Sequence, residues 1–174
     1  MTTTERIEQL SDFKSLRLYT HISNLIYDSI DADMDTLIRN MPPEIAATAE
    51  MKQIANAVDS TVFEKALDSN EAVAFARESL AILASLPATS QLVTNELDNW
   101  KDGSMLAETI LAVGGAISLV MLLATSEITY DKKNGLKVGI GSVKDKEQVD
   151  ARRRIIESLF KVIPNVKSWL GRWS

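Results

Sequence analysis

The chain has 174 residues, 45 % of them hydrophobic and 25 % charged, so it is expected to bury a sizeable core as one domain or one domain with an appendage. It contains no cysteine and one histidine, which excludes a disulfide framework, a thiolate nucleophile and the usual structural zinc sites. Residues 1–127 hold 8 basic and 19 acidic residues, a net charge of −11, whereas residues 128–174 hold 11 and 5, a net charge of +6. This asymmetry predicts either neutralisation within the fold or an anionic partner.

The N-terminal part predicts a long amphipathic helix. The first residues, MTTTERIEQLSDF, lack the basic start and apolar run of a cleavable signal peptide, so we expect a cytoplasmic protein. Thr2 and Glu5 have the spacing of a capping box. Apolar residues then recur in steps of three to five, which predicts one helix from about Thr4 to Ile30.

Acidic residues divide this helix from the next. Asp31, Asp33 and Asp35 resemble the start of a calcium-binding loop. However, Thr36 and Pro42 stand where an EF-hand needs glycine and glutamate. We therefore interpret the acidic residues as helix caps, and we expect the second or third of them to start a short helix that ends at the proline pair.

The segment after the proline pair predicts an interrupted helix. Pro43 suits the first turn, where its missing N–H is not needed, and Glu44 suits the positive end of the helix. Apolar residues continue the helical pattern to Val62. Thr61 and Glu64 have a second capping-box spacing, which predicts a new helical start at this point.

Two further helices are expected before the composition changes. Ser69 marks the start of the first helix, whose apolar stripe ends at Pro87. Thr89 or Ser90 is expected to open the second helix, and Gly103 to stop it. Together with the preceding helices they predict an acidic bundle.

Residues 105–126 form the most apolar segment, with no charge from Thr109 to Ser126. The uncharged length is at the low end of the roughly twenty residues that a membrane-spanning helix needs. Gly114 and Ser118 are small residues four apart, which permits close approach of another helix in lipid or in a protein core. We expect a helix buried at the centre of the fold, with membrane insertion as the alternative.

The following residues, EITYDKKNGLKVGIGS, predict a β-hairpin near 127–141. A two-residue turn at Asn134 and Gly135 would put the apolar side chains of the two strands on opposite faces. A three-residue loop, with this glycine in the left-handed position of a bulge, puts them on one face. We prefer the three-residue loop. Its predicted cross-strand pairs are Ile128 with Ile140, Tyr130 with Val138, and Asp131 with Lys137.

The C-terminal part predicts basic amphipathic helices. The first runs from about Lys146 to Ile163, where a proline follows. In the tail, Trp169 and Trp173 share one helical face with two aliphatic residues. We expect this face to dock onto an apolar surface, which is either the chain's own core or that of a partner or membrane.

Two patterns that suggest chemistry have stronger structural interpretations. Gly139-Ile140-Gly141 begins a dinucleotide-binding fingerprint, but Lys144 stands where the third glycine belongs. His21 lies beside the apolar stripe of its helix, which favours a half-buried structural role over a catalytic one. We therefore assign no residue to catalysis, cofactor binding or metal binding.

Arg152, Arg153 and Arg154 form the densest basic run. Consecutive helical positions point about 100° apart, so the three side chains do not form one flat patch. No nucleic-acid-binding motif accompanies them, and the chain as a whole is acidic, so nucleic acid is not the expected partner. We favour a solvated face, or ion pairs with the acidic helices.

The sequence predicts a mainly α protein, a multi-helix bundle with one short β-hairpin inserted before the C-terminal helices. Residues 1–103 form the acidic bundle. Residues 104–174 supply the apolar helix, the hairpin and the basic helices, and are expected to pack with the first part as one domain.

This organisation suggests a non-enzymatic interaction module, an adaptor or small subunit that binds a protein partner or a second copy and needs no cofactor. The alternative is a membrane-active or pore-forming effector that inserts residues 105–126, and a third hypothesis is an enzyme subunit whose site a partner completes. The residues predicted to form the interaction surface are Gly114, Gly115, Ser118, Arg152, Arg153, Trp169 and Trp173.

Overall fold

The computed structural model describes residues 1–30, 33–99, 111–141 and 143–172. Helix dominates these residues, and an antiparallel hairpin precedes the last two helices, which confirms the predicted mainly α fold. The first helices are α1 (Thr3–Glu8), α2 (Asp12–Asp28), α3 (Met34–Arg39), α4 (Pro43–Ala46) and α5 (Ala49–Ala57), followed by a 3-10 turn (Thr61–Glu64). The later elements are α6 (Ser69–Ser85), α7 (Pro87–Asp98), α8 (Val113–Thr125), β1 (Ser126–Asp131), β2 (Gly135–Ile140), α9 (Lys146–Lys161) and α10 (Pro164–Gly171).

The N-terminal segment forms two helices, so the prediction of one helix to Ile30 was wrong. The capping box that opens α1 is present as expected, with reciprocal hydrogen bonds between Thr2 and Glu5. The chain then breaks, and Ser11 caps the start of α2. Arg77 of α6 donates a hydrogen bond of 2.8 Å to the carbonyl of Leu10, which satisfies a backbone group that the break leaves free.

Side-chain caps set several other helix starts. Asp33 caps α3, one of the two positions expected. Asp68 caps α6, directly before the predicted Ser69. The start of α7 was predicted too late, because Pro87 itself occupies the first helical position, where its missing N–H costs nothing. The hydroxyl of Thr89, a predicted cap, donates instead to a carbonyl of the preceding helix.

The helix predicted from Pro43 to Val62 is divided more finely than expected. It consists of α4, α5 and the 3-10 turn, and Thr48 caps the second of these pieces. The second capping box was assigned to the wrong residue, because Ser60 rather than Thr61 caps the 3-10 turn. Each of these short helical pieces buries one to three side chains, and the breaks between them let the segment follow the surface of the core.

The apolar helix α8 is shorter than the predicted helix 105–126. Leu111 and Ala112 are extended, because their backbone pairs with the loop after the 3-10 turn. Leu67 donates to the carbonyl of Leu111 at 2.9 Å, and Val113 donates to the carbonyl of Lys65 at 2.8 Å. The last predicted residue, at position 126, belongs to β1. Residues 105–110 of the predicted helix lie outside the described residues.

The hairpin loop has the predicted length of three residues, but it consists of residues 132–134 and not of the predicted residues 133–135, and the predicted register was wrong by two residues. Tyr130 pairs with Leu136, and Val138 pairs with Ile128. A shift of two residues keeps each side chain on its predicted face, so the apolar side chains still share one face. Gly135 has a φ of +77° at the end of the loop, as expected for a bulge.

The Asp131 side chain explains the register. Its carboxylate accepts hydrogen bonds from the backbone N–H of Lys133 at 2.7 Å and from the side-chain amide of Asn134 at 2.8 Å. These bonds hold the carboxylate within the loop, so it pairs with a glycine across the strands and not with Lys137.

The C-terminal helix packs on the chain's own core. Within α10, Val166 and Leu170 are fully buried, and the helix contacts α5 and α9. Pro164, which was expected to end the preceding helix, occupies the first position of α10. The predicted apolar face is therefore used internally as far as it is described; Trp173 lies outside the described residues.

Helices α6 and α8 are the centres of two groups of contacts, and both pack against α9. In the first group α6 contacts α1, α2, α7 and α9, and in the second α8 contacts α3, the 3-10 turn, β1 and α9. The buried apolar side chains of both groups belong to one cluster, which includes Phe75 of α6 and Ile117 of α8. The hairpin lies against α7 and α8. This arrangement leaves the start of α7, the first strand and one side of α9 next to one another.

Within the described residues no single helix is both long and apolar enough to cross a bilayer. The 13 residues of α8 rise about 20 Å, short of the roughly 30 Å of a hydrocarbon core. The pair α6 and α7 has a sufficient combined length and composition, but the two helices are bent by 117° at their junction.

Candidate functional site

The small residues of α8 serve contacts within the chain. Gly114 lies so close to the 3-10 turn that an added Cβ would be 2.9 Å from the backbone oxygen of Phe63. Ser118 donates a hydrogen bond of 2.6 Å to the carbonyl of Gly114. Gly115 is exposed, and an added Cβ would meet only the side-chain carbon of Leu111, at 3.5 Å. The close approach predicted from this spacing is therefore made to the chain's own backbone.

Trp169 of α10 also faces the chain's own core. It is half-buried, and the ammonium of Lys65 lies 4.9 Å from the centre of its ring, a cation–π distance. The tryptophan thus joins α10 to the loop between the 3-10 turn and α6.

The three consecutive arginines of α9 lie in three different environments. Arg153 pairs with Asp150 at 3.5 Å, one turn away on the same helix, and Arg154 is exposed. Arg152 is half-buried, and its guanidinium donates a hydrogen bond of 3.0 Å to the carbonyl of Leu123. The structure therefore separates one arginine of the run from the solvated face.

His21 has the half-buried position that its helix predicted. Its Nε2 lies 2.7 Å from a carboxylate oxygen of Glu96, so it ties α2 to α7. No group of three or more His, Cys, Asp or Glu side chains in the described ranges is placed to hold a metal ion.

Arg152 lies in the wall of an apolar groove of about 360 Å³. The groove is formed where the corner between α6 and α7, strand β1 and helix α9 meet. Its apolar walls include Ile155, which is half-buried, and Ile128, which is 3 % exposed. The residues that line it are Leu86, Pro87, Ala88, Thr89, Glu127, Ile128, Gln148, Ala151, Arg152 and Ile155.

The charges of the groove are few and unequally exposed. Glu127 is exposed, whereas burial lowers the pKa of Arg152 from its ordinary value and the charge of Glu127 opposes that effect. An arginine remains protonated at neutral pH even so. The groove therefore offers a partly desolvated positive charge between apolar walls.

The sequence predicted one groove residue, Arg152, but not the groove itself. The other residues come from three segments far apart in the chain, and each is an ordinary helix or strand residue when read alone. The position of Arg152 in the sequence does indicate that it differs from its two neighbours. Arg152 stands three residues after Val149 and four before Ile156, both buried, so it lies on the apolar stripe of α9.

A second polar cluster lies at the start of α6. The side-chain amide of Asn165 from α10 donates to Glu71 at 2.5 Å and to Asp68 at 3.1 Å. Burial, followed by the hydrogen bond with Asp68, raises the pKa of Glu71, while hydrogen bonds from the backbone and side chain of Glu71 lower the pKa of Asp68. The Asn165 amide bridges the two carboxyl groups and fastens α10 to the start of α6.

Comparisons with models of protein families, with curated proteins and with solved structures find no match to this chain.

Proposed function

We propose that this chain is a non-enzymatic helical interaction module, an adaptor or small subunit, that binds a protein partner at the groove between α7, β1 and α9. The observation that carries the proposal is the groove itself, in which apolar side chains of three elements remain open around a half-buried arginine. Large or well-formed apolar depressions with a few polar groups are the usual sites of binding.

The size of the groove favours an anchoring point within a larger contact. Its volume of about 360 Å³ holds one or two side chains of a partner, at the low end of the range for ligand pockets. A stable protein interface buries about 800 Å² on each side, so the surrounding surface has to take part. Interfaces concentrate their binding energy in such central pockets, with a more polar rim.

The charge of the surroundings favours an acidic partner. The hairpin and α9 carry exposed basic residues, and the part of the chain from residue 128 onward has a net charge of +6. Complementary charge at the rim of an interface mainly increases the rate of association and the specificity for the correct partner. The exposed basic residues of these two elements are Lys132, Lys133, Lys137, Lys146, Arg153, Arg154 and Lys161.

The test is selection of binders from a phage-displayed library of random 12-residue peptides on the intact chain. Ala151 is exposed at the groove, so Ala151→Gln adds a neutral side chain there without disturbing the core. Ala55→Gln is the matched control, since Ala55 is exposed on α5.

We expect the selected peptides to bind at least about tenfold more weakly to Ala151→Gln than to the control. Equal binding to both variants would contradict the groove as the interaction site. If instead no peptide binds and the chain sediments with anionic liposomes in a salt-resistant manner, the membrane-active alternative replaces this proposal.

A further inference from the structure

Arg152 interrupts an apolar stripe at the point where the groove opens. On α9 the neighbouring positions of the stripe, Val149 and Ile156, are 4 % and 1 % exposed. An arginine placed between them has to bury its aliphatic part, and its guanidinium then emerges among apolar groups. Charged side chains are rare in such positions unless something pairs with them.

The hydrogen bond that Arg152 forms among the described residues uses only one of the N–H donors of its guanidinium. The hydrogen bond to Leu123 places the positive charge near the C-terminal end of α8, where the helix dipole favours a cation. A guanidinium has five N–H donors in a planar fork. Among the described residues no carboxylate forms an ion pair with it, and the groove's own acid, Glu127, is exposed to solvent.

Another part of the groove lining also carries positive charge. It is formed by Leu86, Pro87 and Ala88 at the start of α7, a helix of 12 residues whose N-terminus has no side-chain cap. The N-terminus of a helix bears a partial positive charge. An anion that enters the groove beside Arg152 therefore meets favourable potential from Arg152 and from the start of α7, and unfavourable potential from Glu127.

We propose that the groove binds an apolar segment of a partner protein that carries one Asp or Glu beside its apolar anchors, and that Arg152 binds this carboxylate. The inference rests on the proposed function and specifies the chemistry of the partner. Planar, two-pronged pairing between guanidinium and carboxylate is strong and directional. A partner segment that fills the groove would, together with its apolar walls, exclude water from the pair, and the groove has room for the side chains that flank the acid.

The experiment uses the peptides selected on the intact chain and measures their affinity by isothermal titration. Arg152→Gln removes the positive charge but keeps an amide that can donate to the Leu123 carbonyl. Arg154→Gln is the matched control, because Arg154 is exposed on the same helix and does not line the groove. Each protein is titrated with a selected acidic peptide and with its Glu→Gln or Asp→Asn counterpart.

We expect the selected peptides to share an acidic residue flanked by apolar ones, and Arg152→Gln to weaken the acidic peptide by about 10- to 100-fold. The neutral counterpart should bind the wild-type protein with an affinity reduced by a similar factor. Its affinity should fall little further when Arg152 is replaced by Gln. Arg154→Gln should change either affinity less than about threefold. Glu127→Gln should strengthen binding of the acidic peptide, since it removes the competing charge of the groove.

Three results would overturn the inference. Groove-dependent peptides without an acidic residue, or an acidic peptide whose affinity is equal for wild type and Arg152→Gln, would leave the proposed interaction module in place but remove this partner chemistry. If every selected peptide binds Ala151→Gln and Ala55→Gln equally, or if none binds, both the interaction module and this partner chemistry are contradicted. If thermal unfolding shows that Arg152→Gln does not fold, Arg152→Lys decides, because loss of the planar fork should still reduce the preference for the acidic peptide by several-fold.

Discussion

Helices α8 and α9 lie against each other, but the second half of α8 is buried on all sides, whereas α9 is open on one side. Every side chain of α8 from Leu119 to Thr125 is buried, and its neighbours are α3, the 3-10 turn, β1 and α9. Helix α9 buries one stripe and turns Arg152 and Ile155 towards the groove. The most apolar segment of the sequence thus forms the interior, and the candidate site lies beside a less apolar helix.

The comparison shows what kind of sequence feature points to a site. Strong hydrophobicity in α8 is fully accounted for by internal packing, as is the close approach at Gly114. In α9 the informative feature is a departure from the pattern, since a charge occupies a position where the stripe requires an apolar residue. Such departures are expected where function competes with packing.

Truncation of one isoleucine in each helix gives the largest difference between the two regions. Ile117 of α8 is fully buried, so Ile117→Ala should lower the free energy of unfolding by about 2–5 kcal/mol. Ile155 of α9 is half-buried at the groove, so Ile155→Ala should cost less than about 1.5 kcal/mol, because little cavity forms and water reaches the site. Urea denaturation of both variants measures the two values. Equal losses would mean that the groove is as closed as the core.

The periodic parts of this fold could be predicted from the sequence. The order of the helices, the hairpin and its buried face follow from apolar spacing and from side-chain caps such as Thr2 and Asp33. The errors arose where a distant residue decides the local structure. Arg77 stabilises the break between α1 and α2, and the strand-like pairing of Ala66 with Ala112 delays the start of α8.

The candidate site was less predictable than the fold. The described residues of the predicted interaction surface lie in separate places. Gly114 lies near the start of α8, and Arg152 contacts Leu123 near its end, about 13 Å further along the helix. Trp169 lies in a third place, on α10. A groove formed by three separated segments leaves no spacing pattern in any one of them.

Two adjacent glycines test how tightly α8 is closed at its start. An alanine at Gly114 would place its Cβ 2.9 Å from a backbone oxygen, which cannot move as a side chain can, so Gly114→Ala should cost about 1–3 kcal/mol. An alanine at exposed Gly115 meets no such obstacle and removes the entropic cost of glycine in a helix, so Gly115→Ala should stabilise by about 0.5–1 kcal/mol. Thermal unfolding of the pair measures both signs. Two stabilising substitutions would show that the helix and the 3-10 turn are not in close contact.

Glu71 provides a second comparison with Arg152, since both are charged residue types on buried stripes. Arg152 opens onto the groove, whereas Glu71 is 6 % exposed beneath α10 and is held by Asn165. A carboxyl group enclosed in this way is favoured in its neutral form, first by burial and then by its hydrogen bond with Asp68, so its pKa is raised on folding. The closed region therefore favours the neutral form of its acid, whereas Arg152 at the open region stays charged.

The pH dependence of stability tests whether burial raises the pKa of Glu71. The expected effect is smaller than those of the isoleucine and glycine substitutions. Because the pKa of Glu71 is raised in the folded state, its contribution to stability is complete below its unfolded value, near 4.5, and is lost as the pH rises through the folded value. Glu71→Gln does not titrate and retains a carbonyl oxygen for Asn165, and its amide can donate to Asp68 as the protonated acid does. The melting temperature of Glu71→Gln relative to wild type should therefore increase from about pH 4 to about pH 7. Glu157→Gln, at an exposed position of α9, controls for removal of one negative charge. A difference between Glu71→Gln and wild type that stays constant across this range, or decreases, would show that the pKa of Glu71 is not raised in the folded protein.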